Sequence, residues 1–267
     1  MLRVYILDNG VLKTDKNNVV AGATMCTRTR PFAQHEFYEM PVMSVLIEHD
    51  NGYLLFDTGS NMHSMEKGYW DEGIQDIYEL KQSLGQNIEI QLATCGVRKE
   101  EINTVVLSHM HFDHTGNLKL FKNAKVYAPK ADVEFARNAF AKGDSTAAFG
   151  YHKPDLELPI NYTLVEKDFE LFKGVEVICL PGHSPGVLGL VVHTEKSGTL
   201  IFPMDAVYTK EIYGPPAKAS GLVFNRTEYF ASIEKVREIA KKYRAQVIPA
   251  HDNEVFKNLK KAPYYYE

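Results

Sequence analysis

The chain has 267 residues, 45% of them hydrophobic and 24% charged, the balance of a soluble globular protein with a sizeable core. Its net charge of -4, from 34 acidic against 30 basic residues, argues against a general nucleic-acid binder. No run approaches the ~18 apolar residues needed to span a bilayer, and the first residues lack the apolar core and cleavage site of a signal peptide.

Residues 1–8 read as a strand that ends on the turn signal Asp8-Asn9-Gly10. Residues 11–40 hold Arg28 and Arg30, then Phe32, His35, Phe37, Tyr38 and Met40. They read as an extended arm or loop, with a surface strand as the variant. Its aromatics either line a substrate entrance or subunit interface, or pack on the core. Residues 42–48 and 53–56 are strands joined across Asp50-Asn51-Gly52, a strong hairpin signal. They deliver Asp57-Thr58-Gly59. An acid at a strand end is either a turn cap or the partner for the outer N–H of a metal-bound histidine; the histidine cluster further on favours the partner. Residues 60–82 form a polar insertion bearing Met62, Met65, Tyr69 and Trp70, and a helix over 84–93 ends near Cys95-Gly96.

Residues 103–107 are a β-branched apolar run, a buried strand, and Ser108-His109-Met110-His111-Phe112-Asp113-His114-Thr115-Gly116 follows it directly. Side chains two apart in an extended segment project to the same side. His109 and His111 therefore leave the strand end side by side, as two imidazoles sharing one metal require. Asp113 and His114 come where Gly116 turns the chain, and can aim at a second position nearby. A single histidine at a strand end is usually structural, but four ligand-type side chains within six residues are not explained by packing.

A strand over 125–128, a helix over 131–141 and a long loop over 142–160 come next. Loops of that length in compact domains are usually functional or mobile. Strands then follow one another over 162–165, 169–172, 175–180, 187–193 and 199–202. Asn225 and Glu228 are spaced as a capping box before a helix whose apolar face is Phe230, Ile233, Val236, Ile239 and Ala240. A last strand over 246–249 ends on Ala250-His251-Asp252. There are no repeats and no linker, so residues 1–267 read as one domain. Cys26, Cys95 and Cys179 are isolated and odd in number, and fit reduced, mostly buried thiols of a cytoplasmic protein.

His183, Asp205 and His251 each come just after a strand, and strand ends gathered on one sheet edge are a common place to assemble a site. His35, His49, His63, His152 and His193 have no such setting and read as surface or loop residues. Gly182-His183-Ser184-Pro185-Gly186 matches G-x-S-x-G, the nucleophile elbow, but that motif needs a following helix. Here another strand pattern follows, and the serine-nucleophile reading is set aside.

His109-x-His111-x-Asp113-His114, with Asp57-Thr58-Gly59 before it and His183, Asp205 and His251 after it, resembles the metallo-β-lactamase superfamily over residues 44–252. The stretch 108–116, Met204-Asp205-Ala206-Val207-Tyr208-Thr209 and Tyr213-Gly214-Pro215-Pro216 are similar to the N-acyl-homoserine lactonases within it. The resemblance implies an α+β fold, an αβ/βα four-layer sandwich of two mostly antiparallel sheets with helices outside and metals at one edge. It implies that His109, His111 and His183 hold one metal, that Asp113, His114 and His251 hold another, and that Asp205 bridges them, with Asp57 behind a ligand. The segments 11–40, 60–82 and 142–160 are where this chain would shape its own pocket.

Imidazole and carboxylate donors without thiolate suit two divalent ions, Zn²⁺ first, with Fe, Co or Mn admitted. Two ions about 3.5–4 Å apart can share a bridging hydroxide that attacks an acyl carbonyl. In the lactonases the residue matching Tyr208 hydrogen-bonds the substrate carbonyl, and a neutral phenol can stabilise the oxyanion; the alternative is a buried tyrosine bonded to backbone. Asp113 can pass a proton to the departing alkoxide. Phe112 is a wall of the pocket or plain core, and Met62, Met65, Trp70, Phe149 and Tyr151 either contact an acyl chain or simply pack. The expected activity is opening of N-acyl-homoserine lactones, which quenches quorum signals, by a homodimer that needs neither nucleic acid nor membrane. The alternative is another small lactone, or a thioester of the glyoxalase II kind, on the same centre. A β-lactamase, a phosphodiesterase and a diiron redox protein are less well supported, for want of an export signal, of basic charge and of a flavin domain respectively.

Overall fold

The computed structural model describes residues 2–267; Met1, included in the strand read over 1–8, lies outside the described residues. Along the first strand, Val4 and Ile6 pack into one apolar cluster while Tyr5 and Leu7 pack into another. The same division holds for Leu54 and Phe56 against Leu55, and for Leu190 and Val192 against Val191. Strands apolar on both faces must be covered on both, and the alternation sends one set between two sheets and the other towards outer helices.

The elements in order are β1 (Arg3–Asp15), α1 (Lys16–Val19), β2 (Phe37–His49), β3 (Gly52–Phe56), α2 (Glu72–Ile77), β4 (Glu79–Lys81) and α3 (Ile88–Thr94). Then come β5 (Ile102–Val106), α4 (Phe112–Thr115), β6 (Lys125–Pro129), α5 (Lys130–Lys142), α6 (Lys153–Leu156) and β7 (Tyr162–Val165). The rest is β8 (Phe169–Phe172), β9 (Val175–Cys179), β10 (Leu188–His193), β11 (Thr199–Phe202), α7 (Lys210–Tyr213), α8 (Arg226–Tyr243), β12 (Gln246–Val247) and α9 (Asn253–Lys257). One sheet has the order β4-β1-β2-β3-β5-β6-β7 and the other β12-β11-β10-β9-β8. Helices α3 and α5 cover the outer face of the first through Ile88, Leu92, Val133 and Ala136, and α8 covers the second through Val236. This is the expected four-layer αβ/βα sandwich. The second sheet is antiparallel except at β11–β12, whereas the first is antiparallel only from β4 to β3 and parallel from β3 to β7. Parallel neighbours need long crossovers, and the segments carrying α2–α3, α4 and α5–α6 are those crossovers.

Several local expectations are corrected. Asp8-Asn9-Gly10 does not end β1; it makes a bulge in a strand that continues to Asp15, with Gly10 at φ 100 and its N–H on Asp8 Oδ1. Residues 12–15 and 37–40 of the segment read as an arm or surface strand therefore pair with each other, from Leu12↔Met40 to Asp15↔Phe37. The insertion 60–82 contains α2 and the edge strand β4, and the loop 142–160 contains α6. Asn87 interrupts the helix read over 84–93 by capping α3 through Glu89 N. Asn225 caps α8 on Thr227 N and Glu228 N, but its own N–H goes to Gly182 O, so the reciprocal half of the box is absent. His49 is buried against Phe172 rather than on the surface, and Cys26 is exposed rather than buried, with Cys95 and Cys179 in between. No helix among the described residues is long and apolar enough to cross a membrane.

Candidate metal centre

Strand ends of both sheets bring the predicted ligands together at one edge. Two groups of donor atoms form there, His109, His111, His183 and Asp205 in one and Asp113, His114 and His251 in the other, each with its atoms within 4.8 Å of one another. His109 and His111 follow β5; Asp113 and His114 sit on α4, whose single turn swings them beside the strand end. His183 is on the turn after β9, Asp205 on a 3₁₀ turn after β11, and His251 beyond β12.

The first group is tight. His111 Nδ1 lies 3.0 Å from His109 Nε2 and 3.0 Å from His183 Nε2. Asp205 stands between the groups: Oδ2 is 3.3 Å from His183 Nε2 and 3.7 Å from His109 Nε2, while Oδ1 is 3.1 Å from His251 Nε2 and 3.3 Å from His114 Nε2. Asp113 Oδ2 completes the second group at 3.5 Å from His114 Nε2 and 3.9 Å from His251 Nε2.

Outer hydrogen bonds fix the rings. His114 Nδ1 meets Asp57 Oδ2 at 2.7 Å, His183 Nδ1 the Leu222 carbonyl at 3.0 Å, His251 Nδ1 the Pro41 carbonyl at 3.0 Å and His109 Nδ1 the Ser108 hydroxyl at 3.0 Å. The carboxylate and the two carbonyls only accept, so those three rings carry a proton on Nδ1 and direct Nε2 inwards. The Ser108 hydroxyl donates to Asp57 Oδ2 at 2.7 Å, so it accepts from His109 and sets the same tautomer. Burial, reinforced by the neighbouring imidazoles, drives His109 and His111 well below the ordinary histidine range, and burial lowers His183. Asp205, although burial opposes its charge, is held well below the usual carboxylate range by His251, His114, His109 and His183. Against the effect of burial, Asp113, Asp205 and Asp57 raise His114 well above the ordinary histidine range, and Asp205 raises His251; a divalent cation would find His109, His111 and His183 neutral and would displace a proton from the other two rings.

The residues fit such a cation on one further observation. His114 Nε2 is buried and has no hydrogen-bond partner, although two carboxylates lie within 3.5 Å. A buried polar atom without a partner is costly, and a metal would satisfy it. Backbone strain gathers here too: Asp57 (φ 59) and Met204 (φ 45), beside Asp205, are in the left-handed region.

Above the donors lies a cavity of about 220 Å³ lined by His111, Asp113, His183, Asp205 and Tyr208, with apolar walls. Phe112, Phe149 and Tyr151 line it, as the sequence reading allowed. Met62 and Met65 do not; they lie half-exposed on the surface, Met62 Sδ accepting from Asn87. Trp70 is buried behind Phe112, ring centroids 4.3 Å apart, one layer away from the cavity. Ser184 donates to the Gly186 carbonyl and β10 follows it, so no nucleophile elbow forms.

Tyr208 is buried, its backbone carbonyl bonded to His251 N. Its phenol, 3.5 Å from His183 Nδ1, faces a nitrogen that is already a donor to Leu222, which leaves the phenolic proton for a ligand. Burial, with Asp205 and Tyr78, pushes it well above the usual range, so it is a neutral donor. Several residues escaped the sequence reading, among them Leu222, Val223 and Phe224 on the cavity wall, and two bear polar groups. Tyr78, the C-cap of α2, lines the cavity, and Asp132 on α5 lies beneath its wall. The one signal for Asp132 was its place on the same helix stripe as Val133, Ala136 and Ala139, where a carboxylate must be buried.

The sequence pattern of the Metallo-beta-lactamase superfamily matches residues 38–251. The chain is 31% identical to N-acyl homoserine lactonase AiiB of Agrobacterium fabrum over 97% of both chains, and 31% identical to an N-acyl homoserine lactonase of Bacillus cereus over 85% of this chain and 87% of that one. Its fold is similar to an N-acyl homoserine lactone hydrolase solved with N-hexanoyl-L-homoserine at its catalytic metal centre, with a TM-score of 0.83, 25% identity and coverage of 99% and 98% of the two chains. The chain belongs to the metallo-beta-lactamase superfamily and, within it, to the family of the N-acyl homoserine lactonases.

Proposed function

We propose that this single-domain protein is a dinuclear-metal hydrolase that opens the lactone ring of N-acyl-homoserine lactones. The observation that carries the reading is Asp205, set between two histidine groups on the floor of an apolar-walled cavity. His109, His111 and His183 would hold one ion, Asp113, His114 and His251 the other, and Asp205 both. The donors suit zinc, and admit iron, cobalt or manganese. When bound, two such ions supply a nucleophile from water at neutral pH and Lewis-acid charge for the ester oxygens.

The chain's own residues do the rest. Tyr208 donates a hydrogen bond from its neutral phenol to the developing oxyanion. Asp113, which reaches the cavity wall, would take the proton from the attacking water oxygen and pass it to the departing alkoxide. Phe112, Phe149 and the neighbouring apolar wall exclude water and hold the acyl chain. A cytoplasmic homodimer belongs to the same reading; the absence of any disulfide among Cys26, Cys95 and Cys179 supports the compartment, and light scattering tests the dimer.

The test is proton release from short- and long-chain N-acyl-homoserine lactones and simple γ-lactones by the metal-loaded protein and Asp205→Asn. Fast turnover of acylated substrates, nearly lost in Asp205→Asn, is expected. Turnover of unacylated lactones alone would move the substrate; none at all from a chain holding two metals would sink the reading in favour of thioesters or phosphodiesters.

A further inference from the structure

Asp132 is fully buried near the start of α5 and belongs to neither donor group. Its Oδ2 accepts from Met110 N at 2.7 Å, the peptide between His109 and His111, and its Oδ1 accepts from the Tyr151 hydroxyl at 2.7 Å. The Tyr151 ring meets the His111 ring edge-on, centroids 4.8 Å apart, and the two residues form an antiparallel backbone bridge. Beside them Phe112 N donates to Gly150 O at 2.9 Å. Gly150 is at φ 89, and a Cβ there would lie 3.0 Å from His111 Cδ2, so a side chain would be strained and would press on that ring. The segment so pinned, from Thr146 to Tyr151, is one wall of the cavity.

A helix-start acid ordinarily faces solvent or caps its own helix. This one instead spends both oxygens on elements that carry the site. Burial pushes its carboxyl up to about 6, against the opposing bonds from Tyr151 and Met110 N.

We propose that Asp132 is a positioning residue, which locks the His109–His111 strand end to the Thr146–Tyr151 wall so that one carboxylate sets both the aim of His111 and the width of the substrate cavity. It rests on the reading that His109, His111 and His183 hold a metal. A carboxylate acting behind a ligand-bearing strand governs metal affinity as well as turnover. Losing it therefore alters a quantity that a purely structural residue leaves alone.

The experiment is Co²⁺ titration of the chelator-stripped protein followed by visible absorption, with circular dichroism for folding and lactone kinetics for KM and kcat. Asp132→Ala should weaken one of two cobalt sites about 10–100-fold and shift its absorption bands. Asp132→Asn still accepts from Met110 N and can donate its amide to the Tyr151 oxygen, so it should restore both. Tyr151→Phe keeps the Met110 bond and frees the wall; KM should rise several-fold with kcat nearly held. Folded Asp132→Ala with wild-type cobalt affinity and spectrum overturns the inference. Should Asp132→Ala not fold, Tyr151→Phe with an unchanged KM does so. A wild type that takes up no cobalt overturns the metal reading and this inference together; a wild type that takes up two, beside variants that match it, overturns this inference alone.

Discussion

His114 Nδ1 and Asp57 Oδ2 are 2.7 Å apart, both buried, and the aspartate holds that position from a left-handed backbone at φ 59. Its other oxygen accepts from Ser108 N at 2.6 Å, so one side chain ties β3, the strand end after β5 and α4. Asparagine tolerates the left-handed region almost as well as aspartate. Asp57→Asn should keep the fold and orient His114 poorly, because the amide brings an N–H donor to a place where two groups donate. Metal affinity at the His114 group should fall about 10–100-fold. Equilibrium dialysis against zinc, read by atomic emission, checks it; an unchanged second stoichiometric step would refute the role.

Tyr208→Phe removes one hydroxyl from a buried residue whose ring stays packed against His251, centroids 4.9 Å apart. Metal content and thermal stability should be nearly those of the wild type. If the phenol donates to the oxyanion, kcat should fall by roughly 10²–10³, the scale of one lost oxyanion donor. A fall in KM-linked binding alone, with kcat held, would instead make Tyr208 a ground-state contact.

The metal edge was legible because its chemistry is written in short range. His109, His111, Asp113 and His114 lie within six residues, and alternation along a strand end is enough to aim the first two. The bulge at Asp8 to Val11 was not legible, since Asn-Gly is a turn signal whether the strand stops or merely kinks. The pocket residues were legible only in part: Phe112, Phe149 and Tyr151 line the cavity and Met62, Met65 and Trp70 do not, because Met62 and Phe149 look alike in sequence and differ only in which way a long insertion folds back. Asp132 was hidden by convention: an acid in the first turn of a helix is expected there for the helix dipole alone.

The thiols differ in setting. Cys26 is exposed, whereas burial pushes Cys95 and Cys179 up to about 11. The thiolate is the reactive form, so a maleimide at neutral pH should label Cys26 first. Cys95 and Cys179 should follow roughly 100-fold more slowly. Peptide mapping by mass spectrometry identifies the order, and equal labelling of Cys179 would contradict its packing against the cluster between the sheets.

His49 closes the β2–β3 hairpin with its Nδ1 accepting from Asn51 N at 3.1 Å and its ring stacked on Phe172, centroids 4.0 Å apart. Burial lowers its pKa, with Asp50 opposing. A histidine held neutral contributes stability that is present above its unfolded pKa of about 6.5 and is lost as pH falls through the lower folded value. The chelator-treated wild type should therefore lose more stability between neutral and mildly acidic pH than His49→Asn, which keeps an acceptor for Asn51 N and cannot titrate. Urea midpoints at the two pH values give the comparison; parallel losses would mean that the ring is already free to ionise.

Gly182 puts His183 in place by docking on the start of α8. It sits at φ 129, accepts from Asn225 N at 2.9 Å, and a Cβ there would lie 2.2 Å from Tyr229 N and 2.4 Å from Tyr229 Cα. Neither backbone can yield, because Tyr229 is itself fully buried. Gly182→Ala should cost roughly 2–5 kcal/mol, the left-handed penalty plus overpacking. It should also draw His183 away from His111 and so remove one of two metals. Gly198→Ala is the control: φ is 76 and nothing lies within 4 Å, so only the conformational cost of about 1–2 kcal/mol applies. Urea denaturation of the metal-free chains separates the two. Equal costs would mean that the His183 turn is held by something other than its seat on α8, and the route from Asn225 to the first metal group would have to be redrawn.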